Sequence, residues 1–360
     1  MTDVTTRTVG TIDDVNENQL NTLVEQAEQG SIFHRHEWLA AHEAAIDHDP
    51  YHVVVTKGNN PVAFLPNFVR DVPVPTAVAE RALDALAIRM VSPPKPGYGG
   101  PVFVGNERET IDRLFSPSRD GHDARFLLHR IQGFDSELVR YSKQLYAMGY
   151  EPRMQQSLHF LSLQDDWETI RENMDAERRK ALRKATDQDH EVTVAPLADD
   201  LDRTYEMYVA NMHRIDGEIL PRKFFQELAD RIGDRVQVFR ASVDGRDVGR
   251  YVHVLDDESG VLHHWLTAIA DESDFQYYPS ELLHGRAIPW GIERGYDRYS
   301  FGISSPHFDD SIFRFKDKFG ATAEPLFRWE KGLLPGMWHA YDAGRAWYLR
   351  KDLDGDLAEG

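Results

Sequence analysis

The densest concentration of chemistry-bearing residues lies between Gly295 and Gly320. Gly295-Tyr296-Asp297-Arg298-Tyr299-Ser300-Phe301-Gly302-Ile303-Ser304 reads as a helix end, a strand and a glycine loop. Phe313-Arg314-Phe315-Lys316-Asp317-Lys318-Phe319-Gly320 follows soon after. A lysine set between aromatic neighbours is shielded from water, so its charge acts across a lower local dielectric. That suits Lys316 to holding an anion or stabilising a developing oxyanion. The same spacing also describes a surface helix whose Lys316 stem runs over a core of Phe313, Phe315 and Phe319. Spacing alone favours the surface-helix reading. His307, Asp309 and Asp310, in the loop just before, are the candidate bases.

A second concentration is cationic. Arg178-Arg179-Lys180-Ala181-Leu182-Arg183-Lys184 gathers basic residues in a chain whose formal charge is -19. Arg178, Arg179, Arg183 and Lys184 are candidates for gripping the phosphates of tRNA or of a nucleotide-linked precursor. The alternative is a surface helix paired with Asp175, Glu177 and Asp187, each pair contributing about 0.2–0.5 kcal/mol. No G-x-S-x-G, Walker A or H-E-x-x-H motif occurs, so serine hydrolase, P-loop and zincin chemistry have no support. His34-x-His36 and His263-His264 form no complete ligand set, and no metal site is expected. With no cysteine there is no disulfide scaffold, thiolate metal site or cysteine nucleophile.

The elements that must position these residues repeat. The helical spacing of Trp38–Ile46 is followed by a strand from Tyr51 to Val55, a turn at Gly58-Asn59-Asn60, and a returning strand from Val62 to Val69. Later, a helix over Phe224–Ile232 precedes strands at Val236–Val243 and Val248–Leu255, joined at Asp244-Gly245. Glu137-Leu138-Val139 and Glu281-Leu282-Leu283 each open a helix that stops near a Gly-Tyr pair, Gly149-Tyr150 and Gly295-Tyr296. Asp165-Asp166-Trp167-Glu168 resembles a capping box opening a helix from Trp167 to about Ala185. The pattern predicts an α+β fold made of a duplicated unit of mixed sheet flanked by helices. Expected boundaries are 1–155, 156–335, and a C-terminal segment 336–360 whose end, from Leu353, frays. Tyr341, Trp347 and Tyr348 read as packing residues of a terminal helix.

Composition narrows the function classes. The 360 residues hold 60 acidic and 41 basic side chains, which disfavours a general nucleic-acid-coating protein. Ten lysines against 31 arginines, and 36 Asp against 24 Glu, suit a protein adapted to high salt, where a Debye length of about 3 Å removes self-repulsion. The N-terminus lacks the basic and apolar regions of a signal peptide, and no apolar run reaches the roughly 18 residues of a membrane span. A cytoplasmic location is expected.

Several of these residues together resemble the FemAB/FemX family of the GNAT acyltransferase superfamily. The resemblance rests on Tyr278-Pro279-Ser280-Glu281-Leu282-Leu283, Arg294-Gly295-Tyr296, Phe301-Gly302 and Phe315-Lys316-x-x-Phe319-Gly320. Met212-His213-Arg214-Ile215-Asp216-Gly217 before the Phe224-Phe225 helix adds to it, as do Phe33, Trp38 and Tyr98-Gly99-Gly100-Pro101. It spans about residues 30–335 and implies two GNAT-type domains in tandem. It also implies transfer of an acyl or aminoacyl group to an amine of a small-molecule or precursor acceptor, with aminoacyl-tRNA as a candidate donor. By the resemblance Lys316 and Phe315 sit at the transfer centre, Arg214 holds the acceptor, and Tyr277 or Tyr278 supplies a site tyrosine. Gly302 and Ser304 fall on the substrate side. Ser300 stands where many relatives carry Asp, which removes that carboxylate from any assigned role.

A CoA-dependent member would cradle pyrophosphate on backbone N–H groups of a glycine-rich loop opening a helix. Here Ala270-Asp271-Glu272-Ser273-Asp274-Phe275-Gln276-Tyr277-Tyr278 has no glycine and three acids, which disfavours CoA. No bound cofactor is expected, the acyl carrier being a co-substrate. An acyl-CoA-dependent N-acyltransferase and a non-catalytic binding protein of the same fold are the alternatives.

Overall fold

A computed structural model describes residues 4–116, 125–134 and 136–359. The chain divides into two compact units, 1–29 with 47–153 and 327–360, and 30–46 with 154–326. Contiguous halves were the expectation from the sequence, and two segments depart from it. Residues 30–46 pack in the second unit because the His36–Ala45 helix lies along the Arg222–Ile232 helix. There Trp38 meets Phe224 and Trp265 edge-on, with ring centroids 6.1 and 5.5 Å apart. Residues 327–360 return to the first unit through the Thr322–Gly332 strand, whose Trp329–Gly332 end pairs antiparallel with Phe126–Ile131.

The second unit carries the residues singled out above. Its strands run in the order His190–Pro196, Val236–Val243, Arg246–Asp256, Val261–Ala268, Arg298–Ser304 and Glu151–Ser162. All neighbours are antiparallel except Val261–Ala268 with Arg298–Ser304, which are parallel. The Val236–Val243 hairpin turns in two residues because Asp244 and Gly245 both adopt positive φ, 51° and 75°, matching the twist of the flanking strands. Parallel strands need a crossover, supplied by the Pro279–Glu293 helix. That helix begins at a proline whose missing N–H would have no partner there, and stops before Gly295, φ 78°. Leu282, Leu283, Ala287, Ile288 and Trp290 bury one of its faces against Phe239, Ala241 and Tyr251. Burying each of the larger of these side chains is worth about 1.5–3 kcal/mol.

The helix expected over Trp167 to about Ala185 is two, Trp167–Asn173 and Ala176–Thr186. Asp175 breaks it: its carboxylate accepts the Glu177 N–H at 2.8 Å, and its own N–H donates to Lys318 O at 3.0 Å. Asp166 caps the first piece as expected, accepting the Thr169 N–H at 2.8 Å.

In the first unit Val4–Val9, His52–Lys57, Asn60–Leu65 and Val102–Phe103 form one antiparallel sheet. Arg89–Ser92 runs parallel to Phe126–Ile131, with the Val102–Phe103 strand and the Glu107–Leu114 helix between them in sequence. The duplication is therefore real but shifted by one element from the sequence reading. The Ser142–Ala147 helix, which follows a 3-10 turn over Glu137–Tyr141, is the counterpart of Ser311–Asp317, not of Pro279–Glu293, because each follows the second strand of a parallel pair and precedes a long strand. Each of these helices ends before a glycine at positive φ, Gly149 at 87° and Gly320 at 85°. Four residues back from those glycines stand Leu145 and Lys316. The expected frayed tail continues as helix, Pro335–Glu359.

Candidate functional site

The parallel strands of the second unit stay together only briefly. Arg298–Ser300 pair with Val261–His263, and no pairing continues beyond them. On its other edge the Arg298–Ser304 strand shifts register against Glu151–Ser162 between Ser300 and Ile303. Gly302 takes φ 76° at this bulge, and its N–H donates to Ser300 Oγ at 3.2 Å. Backbone carbonyls leaving a sheet inside a protein need new donors. Lys316 provides them: its Nζ donates to Gly302 O at 2.9 Å and to Ile303 O at 2.7 Å. The Ser311–Asp317 helix delivers it, started by Asp310, whose carboxylate accepts the Phe313 N–H at 2.8 Å.

Lys316 is only 7% exposed. Burial draws its ammonium down from 10.5 to about 7, against the smaller opposing charge of Asp310. Near neutrality both forms are thus populated. The neutral amine has two hydrogens, one for each carbonyl, and keeps its lone pair. The ammonium has a third N–H in that same position. Around it stand histidines that burial keeps neutral. His264 is pulled down to about 3 by burial and then by the Lys316 charge. His159 is drawn to about 4 by the same two causes, in the same order. Tyr299 OH bridges His253 Nε2 at 2.9 Å and His284 Nδ1 at 2.8 Å, and burial holds both rings well below their ordinary value. Ser304 Oγ sits 3.2 Å from Ser157 Oγ and 3.4 Å from His159 Nδ1. His159 Nε2 is buried without a hydrogen-bond partner among the described residues.

The structure brings Lys316, Gly302, Phe315 and Ser304 into one neighbourhood, with Arg178 reaching it from the core side through Phe315. Phe315 packs on Phe319 with centroids 5.2 Å apart, and the Arg178 guanidinium lies 4.2 Å from its ring centroid. Arg178 is buried and ion-paired with Glu281, so it faces the core and not a phosphate. Burial raises the Glu281 carboxyl, with Arg178 opposing. Arg179 donates to the carbonyls of Glu172 and Met174, closing the preceding helix. Arg183 is exposed, and Lys184 Nζ lies 3.3 Å from Tyr278 OH. Tyr278 takes φ 56° just before the Pro279–Glu293 helix, and Tyr277 O accepts from Gln188 Nε2 at 3.0 Å. Arg214 ends the Leu201–Arg214 helix, bonded to Asn211 Oδ1 at 2.8 Å and lying 5.1 Å from the Phe275 centroid. Asn211 in turn donates to Thr267 O at 3.2 Å, on the strand that has lost its parallel partner. Asp310 is accounted for as a helix cap.

His159 and Glu281 went unnoticed as site residues in the sequence. His159 sits in Ser157-Leu158-His159-Phe160-Leu161, a strand pattern that any buried histidine would share. Glu281 was visible as a helix-start residue and within the stretch that carries the family resemblance, with no role assigned to it.

Comparison with known proteins bears on the fold. Residues 171–316, which lie within the second unit, match the acetyltransferase (GNAT) domain family. The fold of the chain is similar to that of FemX, with TM-score 0.70, 10% identity, and coverage of 91% of this chain and 98% of that one. It is also similar to L-PGS from Bacillus licheniformis, with TM-score 0.55, 11% identity, and coverage of 90% and 93%. A tandem GNAT protein from the clavulanic acid biosynthesis pathway gives TM-score 0.50, 10% identity, and coverage of 92% and 99%. No curated protein matches the sequence. The α+β fold of two tandem GNAT-type units expected from the sequence is the fold observed.

Proposed function

We propose that the second unit forms an amide by transferring an acyl or aminoacyl group from an ester-linked carrier to an amine, with Lys316 at the reacting centre. The observation that carries this reading is the Lys316 amine, buried, bonded to Gly302 O and Ile303 O, and held at about 7. Attack of the amine nitrogen on the ester carbonyl makes a tetrahedral oxyanion and leaves a surplus proton on nitrogen. Neutral Lys316 takes that proton on its lone pair. The resulting ammonium then presents its third N–H to the oxyanion, and donates the proton to the departing alkoxide as the C–O bond breaks. Proton, leaving group and charge balance without an external acid. Leu145 at the corresponding place in the first unit has no proton to exchange, so transfer is assigned to the second unit alone.

Aminoacyl-tRNA suits the site better than acyl-CoA as donor. The loop before the Pro279–Glu293 helix is acidic: Asp271 accepts the Ser273 N–H at 2.8 Å, and Asp274 pairs with Arg246 at 2.7 Å. The helix then opens on a proline, which offers no N–H. Such a loop has no cradle for a pyrophosphate. Incubation with aminoacyl-tRNA and a panel of amines should yield an amide product with wild type and none with Lys316→Met. Calorimetric titration with CoA should show no heat of binding, and stoichiometric CoA binding would overturn the choice of donor.

A further inference from the structure

A groove of about 570 Å³ lies in the second unit among the Trp167–Asn173, Ala176–Thr186 and Pro279–Glu293 helices and the His190–Pro196 strand. Ala176, Arg179, Leu182, Arg183 and Thr186 face it at helical spacing, while Arg178 on the same helix turns inward to Glu281. The floor is apolar, made by Leu182, Leu282 and Val192, and half-buried Trp167 forms a wall. Arg171, Arg179, Arg183 and Arg286 stand on the rim with Glu168 and Glu172, a local excess of cations on a chain of charge -19. Arg183 has no carboxylate partner among the described residues. Arg171 pairs with Glu168 at the surface, and Arg286 approaches Glu293 only to 3.8 Å. Exposed pairs of that kind are weak and yield readily to a ligand.

We propose that this groove binds a nucleoside phosphate, its base laid on Trp167 over the apolar floor and its phosphate held by Arg183 with Arg171 and Arg286. Guanidinium groups match phosphate oxygens two at a time, and a base stacked on an aromatic ring adds to the affinity. The volume lies within the roughly 300–1,000 Å³ of small-ligand sites. Glu168 and Glu172 can accept from ribose hydroxyls or exocyclic amines, whereas they would repel a continuous anionic surface such as a lipid bilayer. This site is separate from Lys316, and its test uses no transfer reaction, so it stands or falls independently of the acyl-transfer reading.

The test is titration of the full chain with AMP, followed by calorimetry and tryptophan fluorescence. AMP should bind one to one, and inorganic phosphate should bind at least about tenfold more weakly for want of a base to stack. Arg183→Glu should weaken AMP about tenfold or more, the loss expected for a charge-assisted contact, with an unchanged thermal melt because Arg183 is exposed. Trp167→Leu should remove the fluorescence change. A short oligoribonucleotide in the same titration tells the source of the nucleotide. Binding tighter than AMP identifies an RNA end, and equal or weaker binding identifies a free nucleotide. AMP binding that Arg183→Glu leaves intact, or absence of AMP binding, overturns the proposal. So does Arg183-dependent binding to phosphatidylglycerol vesicles without AMP binding.

Discussion

Replacing Lys316 by methionine keeps the stem and removes the amine, and two opposing energies then act on the fold. Gly302 O and Ile303 O lose their donor, at about 1–3 kcal/mol for each buried unsatisfied group. Against this, the wild type bears the cost of burying an amine whose pKa falls from 10.5 to about 7, and each unit of that fall is worth about 1.4 kcal/mol. Below pH 7 both folded and unfolded chains hold the proton, and the wild type carries the full penalty of about 5 kcal/mol. Between about 7 and 10.5 only the unfolded chain holds it, so wild-type stability rises with pH across that window. Lys316→Met lacks this term. Denaturant melts of the two proteins should therefore be similar near neutrality, with the wild type gaining on the variant as pH rises towards 10.5. Transfer should behave differently: loss of a proton acceptor and an oxyanion donor costs about 10²–10⁴ in rate above the midpoint of the amine, and less below it, where the wild type is itself protonated. The wild-type rate should rise with pH around a midpoint near 7, as the amine becomes neutral. Lys316→Arg, permanently charged, should lack that rising limb. Near-wild-type turnover by Lys316→Met, or a rate that falls as pH passes 7, would refute the assignment of Lys316 as base.

The other predictions concern what holds the site. Arg178→Met should destabilise by about 3–5 kcal/mol, because Glu281 is left as a buried uncompensated charge; adding Glu281→Gln should recover much of the loss in a chemical melt. Gly302→Ala forces a side chain into φ 76° with its Cβ 3.3 Å from His264 O, so a loss of about 1–3 kcal/mol and a fall in transfer are expected, read by melt and single-turnover assay. Glu330 in the first unit is buried between Arg130 and Arg345, and their charges outweigh burial to hold its carboxyl below its usual value. Its stabilising effect is present above the ordinary 4.5 and disappears as pH falls through the lower folded value, so Glu330→Gln should flatten the acid limb of a pH-stability curve.

Legibility differed from residue to residue. The Val236–Val243 hairpin was readable because a two-residue Asp-Gly turn and β-branched flanks are local signals. The Arg222–Ile232 helix was readable from its apolar period. Lys316 was visible as a candidate, but its two carbonyl partners were not. They exist because the Arg298–Ser304 strand leaves its parallel neighbour after Ser300, and register is not written in the strand's own residues. The basic run read equally as a phosphate site and as an ion-paired surface helix. Helical facing instead divides it: Arg178 goes to the core, Arg179 to two carbonyls, Arg183 to the groove and Lys184 to Tyr278.

By itself the sequence determined an acidic, cysteine-free α+β chain with two similar halves, and marked Lys316 as its most promising chemical residue. The acidity, the turns and the similar halves follow from composition, local turn chemistry and periodicity, which act over a few neighbouring residues, whereas the emphasis on Lys316 came from the resemblance to FemAB/FemX. The tertiary structure decided which helices correspond between the halves, and so that Leu145 occupies the place Lys316 holds. It also decided that the Lys316 amine is buried on the carbonyls of a departing strand and titrates near 7. Desolvation and backbone satisfaction are set by groups far apart in the chain, and only folding brings them together.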